Sequence, residues 1–286
     1  MAFSVTILGN SSAKPTPKAH PSAQVVNLNE QYYLVDAGEG VQQQLIRRGI
    51  SPLRLRAVFI SHLHGDHCFG LFPLIATLGL EGKRTPLDIY APAPMGDILE
   101  YHRKYFWDDL PYEVKWHEVK TTEHCIIFEN KTLEVWSVPL RHSIPTVGYH
   151  FKEKEPQLNV AKRGEDIVLS SGEVIPNSEL TYIPFKPRSY AYLSDTNYSA
   201  KAAERVRGVD LLYHETTYAQ SEEMWAKGRG HSTTFDAAKV ALKAEAKRLI
   251  IGHFSSRYKD HAVLRDECRT IFENTDIANE GDTFTI

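Results

Sequence analysis

The sequence predicts an α/β fold in a single domain. Three observations point there. Short β-rich runs alternate with helical stretches through the second half of the 286-residue chain. Several of those runs end on a His, Asp or Glu, and open α/β sheets place their chemistry at the C-terminal ends of strands. Hydrophobic residues make up 42% and charged residues 24%, which excludes a disordered chain and supplies a large core without staples.

Taken in order, Phe3–Leu8 alternates as a first strand and is followed by a Pro/Ser/Lys loop, 10–21. Ala23–Asn27 and Tyr32–Val35 form a hairpin across a polar turn. Val41–Arg48 is helical, and Arg56–Ile60 is a strand ending at Ser61. Phe69–Leu80 fits a buried helix and Leu87–Tyr90 a strand. Tyr112–Trp116, Cys125–Phe128 and Leu133–Val138 are further strands, the last leading to His142. From His150 to Pro187 the pattern breaks. There Ile167–Leu169 and Glu173–Ile175 flank Ser-Ser-Gly, a hairpin inside an insertion spanning 151–188. Strand–helix alternation then resumes: Tyr190–Leu193 ending at Asp195, a helix over Lys201–Val206, and Asp210–Tyr213 ending at His214 and Glu215. A helix around Ser221–Lys227 precedes another over Phe235–Lys247, capped by Ser232 or Thr233. Arg248–Gly252 ends at His253, and Val263–Glu273 is the last helix.

The formal charge of −3 gives no general support for binding nucleic acid through phosphate neutralisation, so any RNA surface has to be local. Residues 152–188 carry six basic and six acidic side chains. Three cysteines, Cys68, Cys125 and Cys268, suit a reducing cytosol better than a disulfide framework. The N-terminus reads as a strand and not a signal peptide. The longest apolar-rich stretch, 69–80, falls short of the ~18 residues a span needs. The expectation is a cytoplasmic protein with no membrane partner.

The segment 61–67, Ser-His-Leu-His-Gly-Asp-His, is the decisive signal. Its three histidines and one aspartate cannot share one helical face, so a strand-end loop must present them. Imidazole and carboxylate donors suit zinc. Two pairs in one loop, His62 with His64 and Asp66 with His67, suggest two ions. Four donors cannot complete two sites, and His142, Asp195 and His253 stand at later strand ends.

HLHGDH followed by a His, an Asp and a His is the ligand order of the metallo-β-lactamase superfamily. Leu8-Gly9, DAGEGVQQQL (Asp36–Leu45), HETTY (His214–Tyr218), HSTT (His231–Thr234) and LIIGHFSSRY (Leu249–Tyr258) make the chain similar to the ribonuclease Z family. The resemblance implies a four-layer αβ/βα sandwich over 1–286 and a homodimer. It also implies a zinc-dependent endoribonuclease that removes 3′ trailers from tRNA precursors. Carried over, it places one Zn²⁺ on His62, His64 and His142, a second on Asp66, His67 and His253, and Asp195 between them. Asp66 would also accept the proton of the attacking water. His231 would protonate the leaving oxygen, oriented by Glu215. His214 is expected to be a packed neighbour of the site and Cys68 a buried small hydrophobe, while the sequence leaves open whether Arg257 contacts RNA phosphate.

The chain departs from the family pattern in three places. The 151–188 arm is short and lacks a Gly-Pro tip. Ala19-His20 replaces an Arg-Asn pair, and Gly70-Leu-Phe-Pro73 replaces Gly-Leu-Pro-Gly. The short arm favours a rival, a small-molecule phosphodiesterase or ester hydrolase on the same dizinc scaffold. A non-catalytic tRNA-binding protein is disfavoured by retention of every metal position together with Glu215 and His231.

Overall fold

Two seven-stranded sheets face each other, and each is antiparallel on one side and parallel on the other. A computed structural model describes residues 2–17, 19–107, 109–155, 166–177 and 186–286. The first sheet contains β1 (Phe3–Gly9), β2 (Ala23–Leu28), β3 (Gln31–Ala37), β4 (Leu55–Phe59), β5 (Leu87–Ala91) and β6 (Val114–Glu118). With β16 (Thr283–Thr285) its order is β16-β1-β2-β3-β4-β5-β6. The pairings from β3 to β6 are parallel. The β2–β3 turn carries Asn29 and Glu30 at φ of 51° and 65°, the left-handed pair that matches hairpin twist.

The second sheet runs β15-β14-β13-β12-β9-β8-β7. Its strands are β7 (Ile126–Glu129), β8 (Leu133–Pro139), β9 (Val147–Glu153), β12 (Ser189–Leu193), β13 (Leu211–Glu215), β14 (Arg248–Gly252) and β15 (Thr275–Ile277). From β12 to β15 every pairing is parallel. The expected small hairpin is present as β10 (Ile167–Val168) and β11 (Val174–Ile175), both largely exposed. The rest of the predicted insertion, 156–165 and 178–185, lies outside the described residues.

Three apolar layers hold the four structural layers together. Phe3, Val5, Tyr33 and Phe59 of the first sheet meet Val135, Phe151, Tyr190 and Ile250 of the second. Outside the first sheet lie α1 (Val41–Arg47), the one-turn α2 (Gly65–Cys68), α3 (Leu71–Leu80) and α4 (Pro94–Phe106). Outside the second lie α5 (Ala200–Arg205), α6 (Glu223–Arg229), α7 (Thr234–Lys243) and α8 (Ala262–Arg269). This is the expected αβ/βα sandwich.

The structure departs from the expected elements in several places, and the last helix ends at Arg269 and not Glu273. Helix α4 is absent from the sequence reading because only Met95 and Leu99 face the core, too few to set a period. Strand β9 is buried along both faces, so His150 and Lys152 interrupt no alternation that could have revealed it. The edge strands β15 and β16 have three residues each. Helix α7 stops at Lys243 and not Lys247, because Glu245 takes φ of 52°.

Candidate metal centre and active site

The sandwich brings the C-terminal ends of the parallel strands of both sheets to one rim. The loop after β4 presents His62, His64, Asp66 and His67, the loop after β8 His142, the end of β12 Asp195, and the end of β14 His253. These seven side chains, far apart in sequence, converge. The donor atoms of His62, His64, His142 and Asp195 lie within 4.8 Å of one another, as do those of Asp66, His67 and His253.

Asp195 lies between the two clusters. Its Oδ2 is 3.7 Å from Nε2 of both His62 and His142. Its Oδ1 is 3.5 Å from His67 Nε2 and 3.3 Å from His253 Nε2. Yet Oδ1 is buried without a hydrogen-bond partner.

Imidazole nitrogens also approach one another edge to edge: His62 Nε2 to His64 Nδ1 at 3.1 Å, His64 Nδ1 to His142 Nε2 at 3.2 Å, and His67 Nε2 to His253 Nε2 at 3.4 Å. Their opposite nitrogens are engaged elsewhere, save on His64, so these contacts are poor hydrogen bonds. They are instead close to the ~3.3 Å edge of a tetrahedron with metal–nitrogen bonds of about 2.0–2.1 Å.

Electrostatics agree with that geometry. Burial, then the charge of neighbouring imidazoles, pushes His62 well below its ordinary pKa, and burial lowers His64 and His142. Metal-binding imidazoles must be neutral. Burial opposes ionisation of Asp66 and Asp195, but the facing histidines override it and hold both carboxyls below the usual range. His67 goes the other way: burial lowers it, but Asp195 and Asp36 hold it well above its ordinary range. The donor chemistry and the orphaned Asp195 Oδ1, not a uniform protonation state, therefore mark where a cation is called for.

The opposite ring nitrogens are fixed by two buried carboxylates. His67 Nδ1 donates to Asp36 Oδ2 at 2.7 Å. His62 Nδ1 donates to Ser61 Oγ at 2.9 Å, which in turn donates to Asp36 Oδ2 at 2.9 Å. Tyr192 also donates to that oxygen, at 2.6 Å. In the second sheet His253 Nδ1 donates to Thr217 Oγ1 at 2.9 Å, and Thr217 donates to Glu215 Oε2 at 2.7 Å. His142 Nδ1 donates to the Gly230 carbonyl at 2.8 Å. Such contacts set the tautomer and aim the ring. Gly230 takes φ of 76°, and a Cβ there would meet the His142 ring and backbone, so glycine is required on both counts.

His231 and Glu215 form a pair beside the clusters. His231 Nδ1 is 3.0 Å from Glu215 Oε1 and 3.9 Å from Asp195 Oδ2. Burial works against the imidazolium, but the Glu215 carboxylate and then Asp195 raise His231 to about 9. The helix that follows begins with a capping box between Thr233 and Asp236, which settles the two expected caps in favour of Thr233 and sets the entry of the 231–233 turn.

A cavity of about 550 Å³ opens over His64, Asp66, Asp195, His231 and His253, walled by Ala13, Pro15, Glu39 and Phe69. The Ala13 amide donates to Asp66 Oδ2 at 2.7 Å. His214 points away from the clusters, and its Nδ1 donates to the Glu215 carbonyl at 2.6 Å. Cys68 is buried and its thiol is pushed up to about 12. Arg257 pairs with Glu222 at 2.9 Å and lies over the Tyr218 ring, so its charge already has a partner in the chain.

Sequence reasoning assigned no role to Asp36, Ser61 or Thr217. Asp36 had a usable signal, since it is a carboxylate at the C-terminal end of β3 just as Asp195 follows β12. Its backbone φ of 55°, like the 59° of His253, is a left-handed conformation costing of order 1–3 kcal/mol. Both strained residues sit at this centre.

The chain matches the model of the beta-lactamase superfamily domain over residues 31–163 and 180–254. It is 43% identical to a ribonuclease Z of Bacteroides thetaiotaomicron, over 99% of this chain and 95% of that protein. With a ribonuclease Z of Parabacteroides distasonis the identity is 42%, over 98% and 97%. The crystal structure of the short form of human tRNase Z superposes with a TM-score of 0.77 at 26% identity, covering 99% of both chains. On that agreement of sequence along nearly its whole length and of fold, the chain belongs to the ribonuclease Z family of the beta-lactamase superfamily.

Proposed function

We propose that this chain is an endoribonuclease that cleaves tRNA precursors at the 3′ end of the acceptor stem and releases the trailer. The observation that carries the reading is Asp195, with one oxygen toward each donor cluster and the His231–Glu215 pair alongside. His62, His64 and His142 would hold one cation, and Asp66, His67 and His253 a second, with Asp195 shared. The nitrogen-rich donor set favours zinc over magnesium or calcium. When bound, such ions polarise phosphoryl oxygens and acidify a water.

The remaining steps belong to the chain. Asp66 has Oδ2 among the donors, and its other oxygen is left to accept a proton from the attacking water. Its carboxyl is held below the usual range by the facing histidines, so it stands ionised and able to accept. His231 donates through Nδ1 to Glu215, which leaves Nε2 to carry the proton for the departing 3′-oxygen. Glu215 keeps that ring oriented and favours its protonated form.

Residues 1–286 would form one catalytic domain with a short arm inside the expected 151–188; the arm starts after Glu153, because residues 151–153 are the end of β9. Its support is the exposed β10–β11 hairpin lying between β9 and β12. The homodimer rests on the family resemblance, and a cytoplasmic location on the tRNA substrate. Light scattering in solution tests the first.

The deciding experiment incubates purified protein with a tRNA precursor bearing a 3′ trailer, beside a chromogenic phosphodiester. Cleavage at the end of the acceptor stem, abolished by chelator, is expected. Efficient turnover of the diester with the precursor left intact would replace this reading with a small-molecule phosphodiesterase.

A further inference from the structure

Phe69 leaves 64% of its surface exposed, and it does so on the wall of the cavity that contains His64, Asp66, Asp195 and His231. Single exposed apolar residues on open surface are ordinary. The placement of this one is not. Three residues later Phe72 stacks on His102 at 4.2 Å between ring centres, on the far side of the turn. Phe69 instead turns toward the cavity, with its ring against the backbone of Gly65, where a Cβ would collide with it. The Phe69 amide donates to the Gly65 carbonyl at 2.9 Å, so α2 holds the ring from beneath.

The cavity wall offers little else to a nucleotide. Its acidic members are Glu39, Asp66 and Asp195, and among the described residues that line it there is no lysine or arginine. Apart from the histidines of the centre, a polyanion reaching it finds no cationic side chain on that wall to grip its backbone. It does find an aromatic face, and every base has a π-face to stack on it.

We propose that Phe69 is a substrate-binding residue that stacks on the nucleobase of one of the two nucleotides flanking the scissile phosphate. Stacking there fixes which phosphate comes to rest over the metal clusters. The proposal rests on the RNA-cleaving reading above.

The test compares Phe69→Leu, which keeps apolar bulk, and Phe69→Trp, which keeps a stacking face, on precursor tRNA. Two further precursors carry an abasic site, one at the last retained nucleotide and the other at the first trailer nucleotide. Phe69→Leu is expected to lower kcat/KM about 5- to 100-fold, the range for losing one base–aromatic stack. Phe69→Trp should stay near wild type. On one of the two abasic precursors the Leu penalty should disappear, because the base it served is gone. A penalty that persists on both abasic precursors overturns the proposal, as does Phe69→Leu cleaving like wild type. Metal content and unfolding midpoint are measured alongside, and loss of either in Phe69→Leu would make the residue structural and end the proposal too. If wild-type protein leaves every precursor intact, the nuclease reading falls and takes this one with it. Wild-type cleavage with an unaltered penalty sinks this one alone.

Discussion

Glu215 accepts five hydrogen bonds in a fully buried position: from the amides of Thr196, Thr217 and Ser232, the Thr217 hydroxyl and His231 Nδ1. Every partner is a donor, so a glutamine there must turn an NH₂ against at least one of them. Glu215→Gln should therefore lose about 1–3 kcal/mol of stability in denaturant titration. It should also shift the pH profile in a defined direction. The carboxylate stabilises the imidazolium of His231, and a general acid works only below its own pKa. Activity should fall as pH rises through that pKa, and removing the charge should move the falling limb to lower pH. A limb that stays put would separate His231 from the proton transfer. His231→Ala, for its part, should cost on the order of 10²–10⁴ in kcat on tRNA while leaving metal content unchanged. On a nitrophenyl phosphodiester, whose leaving group departs unprotonated, that loss should shrink, and equal losses on both substrates would exclude the donor role. Asp195→Ala should lose both ions in elemental analysis, whereas His253→Ala should weaken chiefly one. Retention of one full equivalent by Asp195→Ala would contradict a shared ligand.

At the scale of elements, the site is a property of strand ends, and this decided what could be read from sequence. The seven donor-type residues were visible because each follows a hydrophobic run, as His253 follows Leu249–Gly252. Asp36 follows such a run too, but it touches its site through Ser61 and His67, and contacts made through another side chain leave no spacing in sequence. Helix α4 and strand β9 were hidden for opposite reasons, one too thinly apolar on its inner face and the other enclosed on both faces. The cap of α7 was better marked. Thr233 accepts from the Asp236 amide, and Asp236 answers by accepting from the Thr233 amide. Thr233→Ala should cost about 0.5–2 kcal/mol in urea unfolding, the usual range for a lost N-cap. Because that cap sets the turn bearing His231, kcat should drop as well, with metal content preserved. A stability loss with kcat intact would show that the turn is held by Glu215 and Ser232 alone.

Over the whole molecule, charge bears on how RNA is held. The two halves of the sandwich anchor the centre in parallel ways, Asp36 orienting His62 and His67 from the first sheet and Glu215 orienting His231 and His253 from the second. That arrangement fixes the chemistry but supplies no grip on a long polyanion. The chain has a net charge of −3, residues 152–188 carry as many acidic as basic side chains, and Arg257 is paired internally. Each phosphate of duplex RNA neutralised by a protein cation releases counterions and adds to the salt dependence, by about −0.9 in log–log slope on the B-DNA scale. With a net charge of −3 and as many acidic as basic side chains in residues 152–188, the chain should therefore bind with a slope no steeper than about −4, equivalent to roughly four contacts. Fluorescence anisotropy of His231→Ala with labelled precursor, titrated with potassium chloride, measures that slope without turnover. Replacing residues 154–187 by a short linker, which spares the β9 residues Phe151 and Glu153, should change it by less than about one contact if the arm's charges nearly cancel. A slope of about −6 or steeper, or one that collapses when the arm is removed, would show that the arm grips the phosphate backbone and that balanced charge is a poor guide to its role.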